Sequence, residues 1–349
     1  MPVLHIGRRP LPGSQPSSSR CALLTLAALV FLATAPIVLV AETAPTARTQ
    51  LVIIDTDIGD DIDDAFAVGL ALSSPELRIL GITSAWGDTK LRAQLLDRLL
   101  CETGRTDIPV AVGVEKHGPG QAAFSQTRWA ERQPEKPHPA AVDFLLDQIR
   151  QHPGEITLIE IAPQTNLGAA LERDPATFKK LRRIVMMGGS VRRGYGDLGY
   201  LPDHGPDAEY NIAMDIPAAQ AVFQSGVPLY VMPLDSTQLR FDDEKRLLLF
   251  AQSTNLTDAL TLLYEQWAHA TSQASPTLFD DVAVAYAIDP AQCPAVPMRI
   301  EVDAKGFTRE AQGRPNAFVC LRSDSDKFFD FYMPRLLQQR LSGSCAKTP

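Results

Sequence analysis

Short apolar runs alternate with helix-like segments over most of the chain. Residues 50–54 form a β-branched run, and the apolar positions of residues 65–72 recur with helical spacing. This alternation is typical of a parallel sheet covered on both faces, so we predict a single α/β domain with a mostly parallel sheet and helices on both faces. Further strands are predicted at 78–84, 107–114, 156–162, 184–187 and 228–233, and further helices at 90–101, 140–151, 166–172, 216–224, 242–270, 280–288 and 327–341.

Two long segments lack either periodicity. Residues 115–139 contain several glycines and prolines, and residues 189–209 are rich in Gly, Asp and Pro. We predict surface loops for both, and loops of this length in compact domains are usually functional or disordered. Near the C-terminus, residues 298–303 and 317–322 are predicted to pair as a β-hairpin.

The N-terminus has the order of a secretory signal. Arginines precede an apolar run at 21–40, and small residues follow it. The run is also long enough for an uncleaved membrane anchor, since about 20 apolar residues span a bilayer. We predict a signal peptide (or N-terminal anchor) over 1–41, a linker over 42–49, the folded domain over 50–342 and a tail over 343–349. The protein is therefore expected to be exported, either periplasmic or secreted, with no membrane attachment once the signal is cleaved.

Charge and cysteine content narrow the picture further. The chain has 33 Lys+Arg and 41 Asp+Glu, a formal charge of −8, and this acid excess argues against nucleic acid as a partner. After signal cleavage, Cys101, Cys293, Cys320 and Cys345 would remain. In an exported protein they are either disulfides or buried free thiols. Cys293 and Cys320 flank the predicted hairpin, where they can pair.

Six aspartates fall in the ten residues that follow the first strand, between Asp55 and Asp64. Carboxylates this close repel one another, and beside a buried strand they must be protonated or share a cation. An all-oxygen cluster suits Ca²⁺ or Mg²⁺, whereas the scattered histidines do not suggest zinc. A helix cap explains Asp63 and Asp64, and a solvated acidic loop is the other alternative. Neither explains six aspartates, so we predict a metal site.

Polar residues also follow the other predicted strands. In open parallel sheets, ligands bind at the carboxyl ends of the strands, which meet at one edge. The segments at these ends are 86–89, 163–166, 188–190 and 234–237.

The aspartate segment resembles a known signature. Residues 52–70 are similar to the DxDxGxDDA pattern of the calcium-dependent nucleoside hydrolases. Further segments resemble the motifs of that family in the same order along the chain, namely 163–167, 186–189, 208–211, 235–237 and 279–286. The resemblance spans about 50–340. It implies a Rossmann-like nucleoside hydrolase fold, a Ca²⁺ cofactor, hydrolysis of nucleosides to free base and ribose, and often a homo-oligomer.

The resemblance also implies roles for the metal-binding residues. Asp57 would bind the metal and act as the general base toward a metal-bound water. Asp64 would be a bidentate ligand, Thr165 would contribute its main-chain carbonyl, and Asp280 would complete the protein ligands. The segment 57–65 is two residues longer than in the family, so Asp61 is an alternative ligand in place of Asp63 or Asp64.

For the substrate, the resemblance implies that Asp63, Glu209 and Asn211 bind ribose hydroxyls. The remaining positions that differ between family members are Asp88, Phe279 and Trp129. Asp88 stands where many members have Asn and a purine-specific subgroup has Asp. Phe279 stands where several members have the histidine that protonates the leaving base.

In the same purine-specific subgroup, an aromatic residue at the Phe279 position stacks on the base together with a Trp from the long loop. Trp129 lies in a similar loop here. Phe279 is therefore a stacking residue or ordinary core packing, and Trp129 is a substrate lid or a local loop anchor. The Asn that some members use for the ribose 5′-hydroxyl has no clear counterpart, with Asp197 and Asp203 as candidates.

Two other functions compete with nucleoside hydrolysis. A phosphatase of the haloacid dehalogenase type also places DxD after its first strand, but its pattern requires Thr or Val where this chain has Gly59. An exported protein that binds Ca²⁺ or a nucleoside without turnover is the second alternative, and Gln164 and Phe279 are the departures that favour it.

Overall fold

The computed structural model describes residues 49–198, 204–343 and 345. The predicted signal peptide or anchor at 1–41 and most of the predicted linker lie outside these residues. Among the described residues, no helix is both long enough and apolar enough to cross a bilayer.

The described residues form a central, mostly parallel sheet, which confirms the predicted fold class. Its strand order is β3-β2-β1-β4-β5-β6-β10-β7, and only the terminal β7 runs antiparallel to its neighbour. A separate pair of short strands, β8 and β9, lies outside this sheet. The strands are Gln50–Thr56 (β1), Leu77–Ser84 (β2), Val110–Ala111 (β3), Thr157–Ile161 (β4), Arg183–Met187 (β5), Leu229–Met232 (β6), Val296–Met298 (β7), Ile300–Val302 (β8), Thr308–Glu310 (β9) and Ala317–Val319 (β10).

Helices cover both faces of the sheet. Successive side chains of a strand point to opposite faces, so a strand that is apolar throughout contributes to a core on each face. On β1, Val52 and Ile54 belong to one apolar core, whereas Ile53 belongs to the other. The helices are Asp63–Leu72 (α1), Thr89–Glu102 (α2), Thr127–Ala130 (α3), Ala141–Gln151 (α4), Thr165–Arg173 (α5), Pro175–Phe178 (α6), Tyr210–Met214 (α7), Ile216–Gln224 (α8), Leu234–Thr237 (α9), Asp243–Phe250 (α10), Asn255–Thr271 (α11), Asp281–Ile288 (α12) and Ser325–Gln338 (α13). The first core packs α1, α2 and α11–α13, and the second packs α4, α5 and α8.

The register of β1 aligns the carboxyl ends of three strands. Asp55 lies opposite Thr83 of β2 and opposite Glu160 of β4. The amide of Asn166 donates to the Asp55 carboxylate at 2.8 Å and to the carbonyl of Ser84 at 3.0 Å. The loops that follow these strands therefore start from one level at one edge of the sheet.

Two sequence predictions need correction. Residues 242–270 are not one helix, because α10 ends before Ser253, whose φ is 51°, and Thr254 then caps α11. The hairpin is also paired differently: β7 pairs with β10, whereas β8 pairs with β9. The side chain of Asn316 accepts from the Ile300 N–H at 2.8 Å and donates to the Ile300 carbonyl at 2.9 Å.

Two disulfides tie the C-terminal part of the chain to the domain. Cys293 bonds to Cys320 and Cys101 bonds to Cys345, so of the two alternatives left open by the sequence the structure has the disulfides. Gly343 donates to the carbonyl of Glu102 at 3.0 Å. The first residues of the predicted tail therefore belong to the folded domain.

Candidate active site

A cavity of about 220 Å³ opens at the carboxyl ends of the central strands. Its walls come from the loop after β1, the first turn of α1 and the starts of α7 and α12. The carboxylates that line it are Asp57, Asp60, Asp61, Asp63, Asp64, Glu209 and Asp280. Asn211 and Phe279 also line this cavity, so the structure brings most of the predicted site residues together.

Three of these carboxylates form a compact group. Asp63, Asp64 and Asp280 are buried, and each offers an oxygen within 4.8 Å of the other two. Asp63 and Asp64 lie in the first turn of α1 and Asp280 directly precedes α12, and these two helices pack against each other. Burial first, and then repulsion among the carboxylates, raises the pKa of all three well above its usual range. A hard divalent cation fits this all-oxygen group.

Asp57 lies beside this group, on the loop that leaves β1. Its side chain is almost completely buried and lines the cavity. Burial raises the pKa of Asp57 to about 7, while the positive charge of Arg92 acts in the opposite direction. A carboxyl group with a pKa near neutrality can exchange a proton at physiological pH.

A buried arginine that the sequence did not single out holds this loop in place. Arg92 donates to the carbonyl of Trp86 at 2.7 Å, to the carbonyl of Ile58 at 3.0 Å and also to the carbonyl of Asp57. It donates further to the carboxylate of Asp60 at 2.8 Å. In α2, position 92 falls on the same helical stripe as the apolar residues 96 and 99. An arginine on an apolar stripe is the feature of the sequence that could have identified Arg92 as a buried residue.

The long loop at 115–139 covers the aspartate loop. The ring of Phe124 lies directly over Gly59, where an added Cβ would come within 2.3 Å of it, and the φ of Gly59 is +126°. Ser125 donates to the carbonyl of Asp60 at 2.7 Å, and the amide of Gln126 donates to the carbonyl of Asp61 at 2.9 Å. The loop after β1 therefore requires glycine at position 59.

Glu209 and Asn211 lie at the start of α7. The carboxylate of Glu209 accepts N–H bonds from Gly189 at 2.8 Å, from Asn211 at 2.8 Å and from Ile212 at 3.2 Å. Burial raises the pKa of Glu209 to about 7, and these N–H bonds act in the opposite direction. The side-chain amide of Asn211 donates to the carbonyl of Met187 at 3.3 Å. Both side chains are thus held in place on the cavity wall.

Aromatic side chains form another part of the wall. Phe279 is half-buried and contacts Tyr195 edge-on, with ring centroids 6.1 Å apart. Tyr210 follows Glu209 directly, and its hydroxyl accepts the N–H of Ala122 at 3.1 Å. Sequence reasoning missed both tyrosines as site residues. The available signals were an aromatic residue in a glycine-rich loop and a hydroxyl where the family motif has Phe or Trp.

Three predicted residues lie outside the lining of the cavity, and a fourth lines it apart from the three-carboxylate group. Asp88 is exposed and caps α2 by accepting the Leu91 N–H at 3.0 Å. Trp129 is buried in the core beneath the guanidinium of Arg98, so the structure supports the loop anchor and not the lid. Thr165 is outside the lining of this cavity, and its hydroxyl donates to Asp215 at 2.8 Å. Asp61 lines the cavity but is outside the three-carboxylate group.

The 5′-hydroxyl candidates fare differently. Asp197 is buried but is outside the lining of this cavity. Asp203 lies outside the described residues.

Ile161, the last residue of β4, is the residue of that strand that faces the cavity.

Comparisons with known proteins agree with this geometry. The model of the inosine-uridine preferring nucleoside hydrolase family matches residues 52–330. The pyrimidine-specific ribonucleoside hydrolase RihA of Escherichia coli is 30% identical over 317 residues, which cover 82% of this chain and 97% of RihA. An uncharacterized protein of Schizosaccharomyces pombe is 36% identical over 213 residues, but the match covers 56% of this chain and only 64% of that protein. The structure of a plant nucleoside hydrolase superposes with a TM-score of 0.71 and 26% identity, covering 83% of this chain and 100% of that one.

Proposed function

The chain belongs to the inosine-uridine preferring nucleoside hydrolase family, and we propose that Asp57 acts as the general base of its reaction beside a bound Ca²⁺. As a member of this family it is a glycosidase acting on N-glycosyl compounds, and its reaction is hydrolysis of the N-glycosidic bond of ribonucleosides to free base and ribose. The observation that carries the proposal is the buried carboxylate group at one end of the cavity.

The residues present fit a calcium ion. Asp63, Asp64 and Asp280 offer only oxygen ligands, and their repulsion makes the group unfavourable without a cation. Ile161 faces the cavity and Thr165 does not, so Ile161 is the better candidate for a main-chain ligand. When bound, Ca²⁺ supplies positive charge that lowers the pKa of nearby water and of neighbouring carboxyls.

In this proposal Asp57 takes the proton of the attacking water. Arg92 holds the main chain of Asp57 and Ile58, so the carboxylate is fixed before substrate arrives. As the N-glycosidic bond breaks, positive charge develops on the sugar, and the surrounding carboxylates stabilise it. Glu209 and Asn211 serve as acceptor and donor for the ribose, and Phe279 provides a surface on which the base can stack.

The proposal is tested by a reducing-sugar assay over a panel of ribonucleosides, with added Ca²⁺ and with chelator. We expect ribose release with Ca²⁺, loss of release with chelator and recovery when Ca²⁺ is restored. Asp57→Asn should lose at least about a hundredfold in kcat, the usual minimum for general-base catalysis, with unchanged thermal unfolding. Release of ribose at the wild-type rate by Asp57→Asn would contradict the role of Asp57.

Three broader properties belong to the proposal. Export rests on the basic and apolar pattern of residues 1–41. A homo-oligomer rests on the family resemblance. A purine preference rests on Phe279, which lines the cavity where a histidine is found in several family members; Trp129, being buried, lends it no support. The same nucleoside panel measures this preference directly.

A further inference from the structure

We propose that Thr308 is a positioning residue of the active site, which acts through Ser190 and Gly189 to hold the carboxylate of Glu209 in place. The inference rests on the proposed function and deepens it, because it adds a residue that does not itself touch the substrate. Thr308 lies in β9, in the strand pair outside the central sheet, and it is outside the lining of the cavity.

The hydroxyl of Thr308 makes two hydrogen bonds to one residue of the loop after β5. Its oxygen accepts the N–H of Ser190 at 2.8 Å, and its O–H donates to the carbonyl of Ser190 at 2.9 Å. Both residues are buried. A buried main-chain N–H and a buried carbonyl each need a partner, and Thr308 provides one for both groups. The main chain of Ser190 is therefore fixed by a side chain of β9.

Gly189 connects this contact to Glu209. The φ of Gly189 is +85°, a left-handed conformation that favours glycine. The side chain of Thr308 also packs directly on Gly189, where an added Cβ would come within 2.9 Å of the Thr308 methyl group and hydroxyl. The N–H of Gly189 donates to the Glu209 carboxylate at 2.8 Å. Because a rotation of the main chain at 189 and 190 would move this N–H, the contacts of Thr308 fix the bond that Glu209 accepts.

The pair β8–β9 also contacts the helix that follows Glu209. Its connecting turn contains Gly306, where an added Cβ would come within 3.0 Å of the Cα of Ala213 in α7. At the end of β8, the carbonyl of Val302 accepts from the side-chain amide of Gln220 in α8 at 2.9 Å. The strand pair therefore contacts both segments whose N–H groups bind the Glu209 carboxylate, namely the loop after β5 and α7.

The strand pair is itself held in shape. The carboxylate of Asp303 accepts the N–H of Lys305 at 2.8 Å and the N–H of Phe307 at 3.1 Å, which closes the turn. The side chain of Asn316 bonds to both main-chain groups of Ile300 in β8. A binding side chain whose supporting residues are fixed in this way keeps its position before the substrate arrives, and this lowers the entropic cost of binding.

A double-mutant cycle tests whether Thr308 acts through Glu209. Thr308→Val keeps the shape of the side chain and removes its hydroxyl. We expect it to lower kcat/KM for ribonucleosides about two- to tenfold, the usual size for one lost hydrogen bond. In the Glu209→Ala background the same change should have little further effect, because two residues that act through one contact are not additive.

Two further variants serve as controls. Thr308→Ser keeps the hydroxyl and should retain most of the wild-type kcat/KM. Thr103→Val is the matched control, because Thr103 is as buried as Thr308, each being 1% exposed, and its hydroxyl donates to the Leu99 carbonyl at 2.7 Å outside the lining of the cavity. Thr103→Val should lower the unfolding temperature and leave kcat/KM unchanged. Thr308→Val should keep the rise in unfolding temperature on addition of Ca²⁺, because Thr308 is outside the three-carboxylate group.

Equal fold-losses from Thr308→Val in the wild-type and Glu209→Ala backgrounds would overturn the inference, and so would an unchanged kcat/KM in Thr308→Val. Both results leave the proposed function intact, whereas wild-type protein that releases no ribose in the presence of Ca²⁺ would overturn the proposed function itself. Thr308→Ala is the second variant, because it removes the hydroxyl without placing a methyl group against the main chain of Ser190. If neither variant folds, Thr308 serves stability alone and the inference is overturned.

Discussion

The guanidinium of Arg92 donates a 2.8 Å hydrogen bond to the carboxylate of Asp60, and both side chains are almost completely buried. The same guanidinium bonds to main-chain carbonyls at the ends of two loops, after β1 and after β2. One cation therefore compensates buried negative charge and also joins the two loops beside the active site.

Arg92→Met should consequently be strongly destabilising. It leaves the Asp60 carboxylate buried without its partner, and breaking a buried pair in this way costs about 3–5 kcal/mol. Urea unfolding measures the change. The double variant Arg92→Met/Asp60→Asn should recover part of the loss, because it removes the uncompensated charge as well.

An exposed ion pair provides the control for this prediction. Arg105 and Asp107 form a bidentate pair on the surface, and Arg105→Met should change the free energy of unfolding far less than Arg92→Met. If the two arginine variants were equally stable, the Arg92–Asp60 pair would not hold the loop.

Calcium should stabilise the wild-type protein through the three-carboxylate group. A ligand that binds only the folded state at 100 times its dissociation constant adds about 2.7 kcal/mol to the free energy of unfolding. We expect Ca²⁺ to raise the unfolding temperature of the wild type and chelator to lower it. Asp280→Asn should lose most of this shift, because it removes one carboxylate of the group.

Asp88→Asn is the matched control for calcium binding. Asp88 is an exposed helix cap outside the cavity, so this variant should keep the full calcium-dependent shift. A shift that survives in Asp280→Asn would place the calcium elsewhere in the protein.

Glu160 leads to a prediction about pH. It lies fully buried on β4 opposite Asp55, and burial, followed by the charge of Asp55, raises the pKa of Glu160 well above its usual range. The folded state therefore keeps a proton that the unfolded state releases near pH 4.5. Stability from this group is present below that pH and is lost as the pH rises toward the folded-state pKa.

Glu160→Gln imitates the protonated side chain and removes this loss. The stability of Glu160→Gln relative to the wild type should therefore be greater at pH 8 than at pH 5, with both proteins measured by urea unfolding in chelator. A difference that is the same at both pH values would show that Glu160 does not titrate in the folded protein.

The sequence was sufficient for the sheet because strands buried on both faces must be continuously apolar, and those runs are visible without a structure. The pairing of β7 with β10 was not predictable, because each of these two strands has only three residues. The side chain of Asn316, through its bonds to Ile300, selects the register. The break between α10 and α11 depends on one positive φ at Ser253, a residue type that rarely adopts it.

The same distinction applies to the active site. Asp57 was predictable because it directly follows a buried strand, and the carboxyl ends of parallel strands meet at one edge of the sheet. Glu209 and Asp280 were predictable because their segments resemble motifs of the nucleoside hydrolases. Arg92 and Tyr195 were not, because each reaches the site through tertiary contacts that a spacing rule does not describe. Asp88 also follows a strand, but its side chain caps its own helix and lies outside the lining of the cavity.

Trp129 and Phe279 provide the last prediction, because the sequence offered both as aromatic contacts of the base and the structure separates them. Trp129→Phe should lower the free energy of unfolding, since the indole is buried in the core and stacked with Arg98, and should leave KM for nucleosides unchanged. Phe279→Leu should instead raise KM and leave the free energy of unfolding nearly unchanged. The half-buried ring lines the cavity, and losing an aromatic contact worth about 0.5–1.5 kcal/mol should raise KM about two- to tenfold with little change in stability. Steady-state kinetics on purine and pyrimidine nucleosides, with urea unfolding of both variants, separate the two roles. A rise of KM in Trp129→Phe at unchanged stability would restore the lid interpretation, and unchanged KM in Phe279→Leu would exclude stacking.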